Sequence, residues 1–280
     1  MSRCMCILCL SLPLLFSSPV GVAAGAGERD YLVFGFLPIV SSERLVRRFA
    51  PLADYLSRAL GVEVRMETAP NFAEFLRRTH QDRRYDILFT APHFYYRARQ
   101  LAGYRAVTRV GLPGMRAVIV VRRDSALRSI HDLRGRRLAT ADRLALATAL
   151  VRRKLLEEGL DPDHDLTLVN TPSHNASLLS AYQGRTDAAS LMLPLYRHAA
   201  PEIRAGTRIL AETESVPHMP ISVGPWVDDR LAERIRIALL QLGEDEADSA
   251  LLVRLDWPGF VPADPDEYDG LDWALPADAP

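Results

Sequence analysis

Apart from Lys154, the chain has no lysine, and apart from Cys4, Cys6 and Cys9 it has no cysteine. The second scarcity excludes more than the first. All three cysteines fall within the first 26 residues, so a chain cleaved after that segment holds no disulfide, no thiolate metal site and no cysteine nucleophile. The lack of lysine is offset by arginine and is read as a GC-rich coding sequence rather than as selection for anion contacts. Charge of neither sign is in excess: 34 basic against 35 acidic residues give a net charge of −1, which argues against nucleic acid as a partner. Long apolar runs are missing too. The longest, within Ile7–Phe16, is shorter than the roughly 20 residues that a membrane-spanning helix requires.

What the first 26 residues do carry is an Arg3 n-region, that short apolar core and small residues at Val22-Ala23-Ala24 and Ala24-Gly25-Ala26. These are the parts of a secretory signal, cleaved near Ala24 or Ala26. Cys9 lies inside the apolar core rather than after it, which argues against lipid attachment. Export without disulfides points to a bacterial periplasmic protein that folds on its core alone.

From Tyr31 to Tyr96, three short apolar runs (Leu32–Leu37, Val62–Glu67 and Asp86–Thr90) alternate with helix-like segments. Each run empties into a turn and then a helix start, so the loops follow the carboxyl ends of strands, the edge at which open α/β sheets bind small ligands. Ser42 is expected to cap the first helix, Pro51 to kink or restart it, and Gly61 to end it. Asn71 and Glu74 have the spacing of a capping box, Pro92 opens the third helix and Gly103 closes it. The turn after the first strand, Gly35-Phe-Leu-Pro-Ile, lacks the Gly-x-Gly-x-x-Gly of a dinucleotide site.

A second β-α series follows. Strands are expected at Arg116–Arg122, Arg137–Thr140, Leu166–Asn170 and Asp187–Leu191, with helices at Leu144–Glu158 and Ser173–Gln183. Strands at Arg208–Glu212 and Pro220–Val223 and an amphipathic helix at Asp229–Leu242 complete the series. The last 37 residues are acidic and proline-bearing, pinned to a surface by Trp257, Phe260, Tyr268 and Trp273. The expected fold class is α/β, with two lobes, each a β-sheet flanked by helices, joined by two hinge strands around a cleft. The segments are residues 1–26 (signal), 27–116 (first part of lobe 1), 117–216 (lobe 2) and 217–280 (return to lobe 1 and tail).

The chain resembles the phosphate/phosphite/phosphonate-binding proteins of bacterial ABC importers, the PhnD-like family. Several segments carry the likeness in order: Phe34-Gly-Phe-Leu-Pro38, Ala50-Pro-Leu-Ala-Asp-Tyr-Leu56, Ala69-Pro-Asn-Phe72 and Tyr85-Asp-Ile-Leu-Phe-Thr-Ala-Pro92. It continues through Asp132-Leu-Arg-Gly135, Ser173-His174, Gly184-Arg-Thr-Asp-Ala188, Val216-Pro-His-Met-Pro220 and Gly259-Phe-Val-Pro-Ala-Asp264. The resemblance implies a type II periplasmic binding fold, with no catalysis and no cofactor. It also implies a small-molecule ligand and an inner-membrane ABC permease as partner.

The family's binding positions are altered here. Its Ser-Thr-Ser-Gly run at the helix opening the second lobe falls on Leu144-Ala145-Leu146-Ala147, and its motif tyrosine falls on Phe72. Two acidic positions that grip an aminoalkyl group in relatives fall on about Pro194 and on Met219. His174 is the matched polar contact, with Thr90 its neighbour. The candidate binding residues are therefore Pro38, Phe72, Thr90, Tyr95, Leu144, Ala145, His174 and Met219. The pocket they imply suits a small anion or a more apolar organic solute. His93 and His218 flank the same cleft, but no spacing has a metal signature. Asp86, Asp142 and Asp187 could supply a base, yet no nucleophile elbow or triad spacing accompanies them. The alternative role is a periplasmic sensing or accessory protein presenting its bound state to a sensor ectodomain. A neighbouring permease and ATPase gene pair, or a neighbouring sensor kinase gene, separates the two. The expected oligomeric state is a monomer.

Overall fold

Parallel strands buried on both faces need helical crossovers, and both β-α series of this chain supply them. A computed structural model describes residues 30–280. The expected signal segment, residues 1–26, lies outside the described residues. The strands are β1 (Tyr31–Phe36), β2 (Glu63–Glu67), β3 (Ile87–Phe89), β4 (Arg105–Val110), β5 (Ala117–Arg122), β6 (Arg137–Thr140), β7 (Thr167–Asn170), β8 (Ala188–Met192), β9 (Thr207–Glu212), β10 (Pro220–Val223) and β11 (Phe260–Pro262). The helices are α1 (Ser42–Leu60), α2 (Phe72–His80), α3 (Pro92–Ala102), α4 (Leu146–Glu157), α5 (His174–Tyr182), α6 (Leu193–Arg197), α7 (Pro201–Gly206), α8 (Asp229–Gln241) and α9 (Glu246–Leu255).

Two sheets result. The first runs β11-β4-β10-β3-β1-β2, with β1 parallel to both β2 and β3, and β10 antiparallel to β3 and β4. The second runs β7-β6-β8-β5-β9, with β6 parallel to β7 and β8. Each sheet with its helices forms one lobe of the expected two-lobed α/β architecture.

Two extended segments cross between the sheets, residues 111–116 outward and 213–219 back. They pair with each other: the Met115 amide donates to the Val216 carbonyl at 2.7 Å, and the Val216 amide returns the bond at 2.9 Å. Gly114 makes this approach possible. A β-carbon there would lie 2.4 Å from the Val216 carbonyl oxygen and 2.2 Å from Ser215 Oγ.

The core of the first lobe is aromatic. Phe36 stacks on Phe49 at 5.1 Å between centroids, and Trp257 closes over Phe49 and Phe89 at 5.7 and 5.3 Å. Gly35 admits Tyr85 against β1, since a β-carbon would sit 2.4 Å from the ring. Asp86 fastens these pieces, accepting from the Val33 amide at 2.7 Å and from the Trp226 indole at 2.8 Å.

Three local expectations need correction. Pro51 does not restart α1, which continues through it. A proline there strips the Arg47 carbonyl of its usual helical donor. Arg254, from α9, donates to that carbonyl instead at 2.5 Å. Ser41 rather than Ser42 is the N-cap. Only half of the capping box forms: Asn71 accepts from the Glu74 amide, but the Glu74 carboxylate turns to Arg77 and Arg78 at 2.8 and 2.7 Å. Two guanidiniums outcompete one backbone amide for that carboxylate.

The acidic C-terminal region is more regular than its composition suggests. It contributes α9, and β11 joins the first sheet as an edge strand on β4.

Candidate functional site

Strands β1, β2 and β3 run parallel, so the loops that follow them open on one edge of the first sheet. Pro38 follows β1, Phe72 opens α2 after β2, and Thr90 ends β3 beside the start of α3. In the second sheet β6 and β7 are likewise parallel. Their loops place Leu144 and Ala145 at the start of α4, and His174 as the first residue of α5.

The two edges meet. His93, on the first turn of α3, brings Nε2 to 3.0 Å from the Leu144 carbonyl oxygen. A carbonyl only accepts, so Nε2 carries the proton and donates. In the neutral ring Nδ1 is then a bare acceptor, buried without a partner among the described residues. Burial drives the His93 pKa down to about 4, and the Leu144 carbonyl offsets this only in part. Around the contact the side chains are closed off: Thr90 and His93 are fully buried, and Leu144 and Ala145 are 3% exposed. Phe94 extends the patch, lying 4.2 Å from the His93 ring and meeting Phe72 edge-on at 5.7 Å.

Two further polar atoms are stranded in the same way. Thr90 Oγ1 and His174 Nδ1 are buried with no hydrogen-bond partner among the described residues. Burial holds His174 near pKa 4 as well, so at neutral pH both imidazoles are uncharged. The cap residue of α4, Ala145, offers no side-chain bond to the first-turn amides. Arg143, the guanidinium in the β6–α4 loop, pairs with Asp278 at 2.8 Å.

The eight candidate residues are thus not all in one place. Leu144 meets His93 directly; Pro38, Phe72 and Thr90 share the opposing edge, and Ala145 and His174 share the edge of Leu144. Tyr95 stays inside the first lobe. Its hydroxyl accepts from the Ala106 amide at 3.0 Å, and its ring packs on Tyr268 at 4.9 Å. Met219 sits on the return crossing, its carbonyl accepting from Val110 and its amide donating to His218 Nδ1. His93 was considered from sequence only as a flanking histidine. The signal for its role was its position, two residues beyond the end of β3 on the edge that carries Thr90.

The carboxylates that might have acted as bases are engaged by amides. Asp142 Oδ1 accepts from Leu144, Asp187 Oδ2 from Arg137, and Asp86 from Val33. These three carboxylates therefore serve the local backbone.

Comparison with known proteins agrees. Residues 34–268 match the family model of the ABC transporter, phosphonate, periplasmic substrate-binding protein. The phosphonates-binding periplasmic protein of Escherichia coli (strain K12) is 22% identical over 246 residues, which are 83% of this chain and 72% of that protein. Among solved structures, a Prochlorococcus marinus protein in complex with methylphosphonate superposes with a TM-score of 0.78 at 15% identity, covering 88% of this chain and 97% of that one. A binding-protein component of an ABC phosphonate transporter from Pseudomonas aeruginosa gives 0.76 at 19% identity, covering 86% and 84%.

Proposed function

The chain belongs to the family of periplasmic substrate-binding proteins of phosphonate ABC transporters, and from that premise we propose that its cleft captures a small organic solute bearing at most one negative charge. The family is one of transport proteins rather than enzymes, and the solute would be handed to an inner-membrane ABC permease. One observation carries the reading of the ligand: His93 spends its only proton on the Leu144 carbonyl where the two edges meet, which leaves the ring uncharged and its Nδ1 bare, with no donor to offer a dianion. An unprotonated nitrogen repels a dianion and accepts from a ligand hydroxyl, ammonium or protonated acid.

The neighbouring positions point the same way. Where the family places hydroxyls, this chain has Phe72, Leu144 and Ala145. A dianion that loses several charge-assisted hydrogen bonds, each contributing roughly 1.5–3 kcal/mol, loses most of its affinity. What remains is the Thr90 hydroxyl, the His174 imidazole and the amides opening α4, enough for a monoanion or a neutral polar head with an apolar body.

Two measurements test this. Mass spectrometry of the solute that co-purifies identifies the occupant. A thermal-shift series over phosphate, phosphonates, phosphonate monoesters, sulfonates and carboxylates ranks the charge states. A ligand at 100 times its dissociation constant adds roughly 2.7 kcal/mol of stability. Shifts with monoanions and none with dianions support the reading; the reverse order removes it.

A further inference from the structure

A cavity of about 1000 Å³ lies between the second lobe and the C-terminal tail. Its walls are α4, the β6–β7 edge of the second sheet, and residues 270–276 of the tail. Three guanidiniums line it, those of Arg143, Arg152 and Arg153, and no carboxylate does. Leu156, Leu168 and the Trp273 indole supply apolar surface, and Leu156 is left 58% exposed although its side chain is large and apolar.

The guanidiniums have donors to spare. Arg153 donates through Nε to Glu157 and lies over the Trp273 ring at 4.5 Å. Arg152 gives both terminal nitrogens to Asp163, and Arg143 gives one to Asp278. An arginine carries five N–H donors, so each of the three keeps unspent ones. Each guanidinium is paired with one carboxylate outside the lining, and its unspent donors suit carboxylate, sulfonate and phosphate oxygens in particular.

We propose that this cavity is a second ligand site, for a small organic anion with a flat apolar body, separate from the interlobe cleft. The anionic group meets Arg152 and Arg153, and the apolar body covers Leu156, Leu168 and Trp273. The tail that roofs the site is fastened to the first lobe, through Arg99 on Asp269 at 2.9 Å and Arg97 on the Ala279 carbonyl at 3.2 Å. It is fastened to the second lobe through Arg143 on Asp278. A molecule bound here therefore touches the second lobe and the tail that ties it to the first.

The test uses the purified protein and two probes of similar shape, 8-anilinonaphthalene-1-sulfonate, an anion, and N-phenyl-1-naphthylamine, which is neutral. The sulfonate should bind saturably at one equivalent and accept excitation energy from Trp273, so the transfer falls in Trp273→Phe. In the double variant Arg152→Gln/Arg153→Gln its affinity should drop at least about tenfold, the loss of charge-assisted contacts. The neutral amine should bind more weakly and ignore that variant. The double variant removes two surface ion pairs, worth little to folding, and the Arg153 contact with the Trp273 ring; an unchanged melting temperature verifies that the fold is kept. His174→Ala, in the cleft, should leave sulfonate binding intact. Absence of saturable binding, equal binding of the neutral probe, an unchanged affinity in the double variant, or loss of binding in His174→Ala each overturns the proposal.

Discussion

His93 and Leu144 join the lobes through a single hydrogen bond, imidazole Nε2 to carbonyl oxygen at 3.0 Å, formed between fully or nearly fully buried groups. The partners come from different sheets, so the bond exists only while the cleft is shut. Its direction also fixes the state of the ring: Nε2 protonated, Nδ1 bare.

Replacing His93 with Phe keeps the ring and removes the donor. The Leu144 carbonyl is then buried unpaired, at a cost of roughly 1–3 kcal/mol. Urea unfolding should register that loss. Small-angle scattering of the ligand-free variant should also show a larger radius of gyration, since the shut form loses a buried lobe-to-lobe bond. A variant as compact and as stable as the parent would mean that the bond does not hold the cleft.

Acidification should destabilise the protein in a defined window. Burial lowers His93, His174, His80 and His218 to about 4, below the ordinary 6.5. The unfolded chain therefore binds more protons than the native one between these values. Stability is fully present above about pH 6.5 and falls as pH drops toward 4, by up to roughly 1.4 kcal/mol per unit for each fully buried histidine. Melting temperature against pH checks this, and His93→Phe should flatten the slope. A melting temperature constant from pH 7 to 4.5 contradicts it.

Arg254 should matter because of Pro51. Arg254→Met leaves the Arg47 carbonyl without the donor that replaces the missing amide, and should cost about 1 kcal/mol. In a Pro51→Ala background the alanine amide reaches that carbonyl, and the same Arg254 change should cost less. A double-mutant cycle in urea measures the difference; simple additivity would show that the two sites are independent.

Gly114→Ala places a β-carbon within 2.4 Å of the Val216 carbonyl oxygen, backbone that cannot swing aside. The paired crossing must part there. The expected result is a destabilisation of roughly 1–3 kcal/mol, as for other overpacked positions, together with a changed distance between spin labels on α2 and α5. Unaltered stability and distance would remove the Met115–Val216 pairing as a rigid hinge.

Much of this architecture was legible before any coordinates. The apolar runs from Leu32 to Thr90 predicted β1, β2 and β3 within a residue or two, and the loops after them located one edge of the site. Gly61 and Gly103 end α1 and α3 in the left-handed conformation, as their positions suggested. The failures were of another kind. Pro51 reads as a restart because local rules do not see Arg254, about 200 residues later, supplying the lost bond. The acidic tail was expected to be pinned by its aromatics, but α9 and β11 were not foreseen, because the partners of Trp257, Phe49 and Phe89, lie far away in sequence. His93 passed as a flanking residue for the same reason: the Leu144 carbonyl that gives it a role belongs to the other lobe.

The central claim is that the cleft receives a solute of at most one negative charge. Titration calorimetry of methylphosphonate across its second ionisation, beside its monomethyl ester as a fixed monoanion, tests it most directly. The account predicts that the ester binds at every pH, and that methylphosphonate weakens at least about tenfold as it becomes a dianion, the worth of one lost charge-assisted bond. Methylphosphonate binding that stays as tight, or tightens, as the second proton leaves would contradict it.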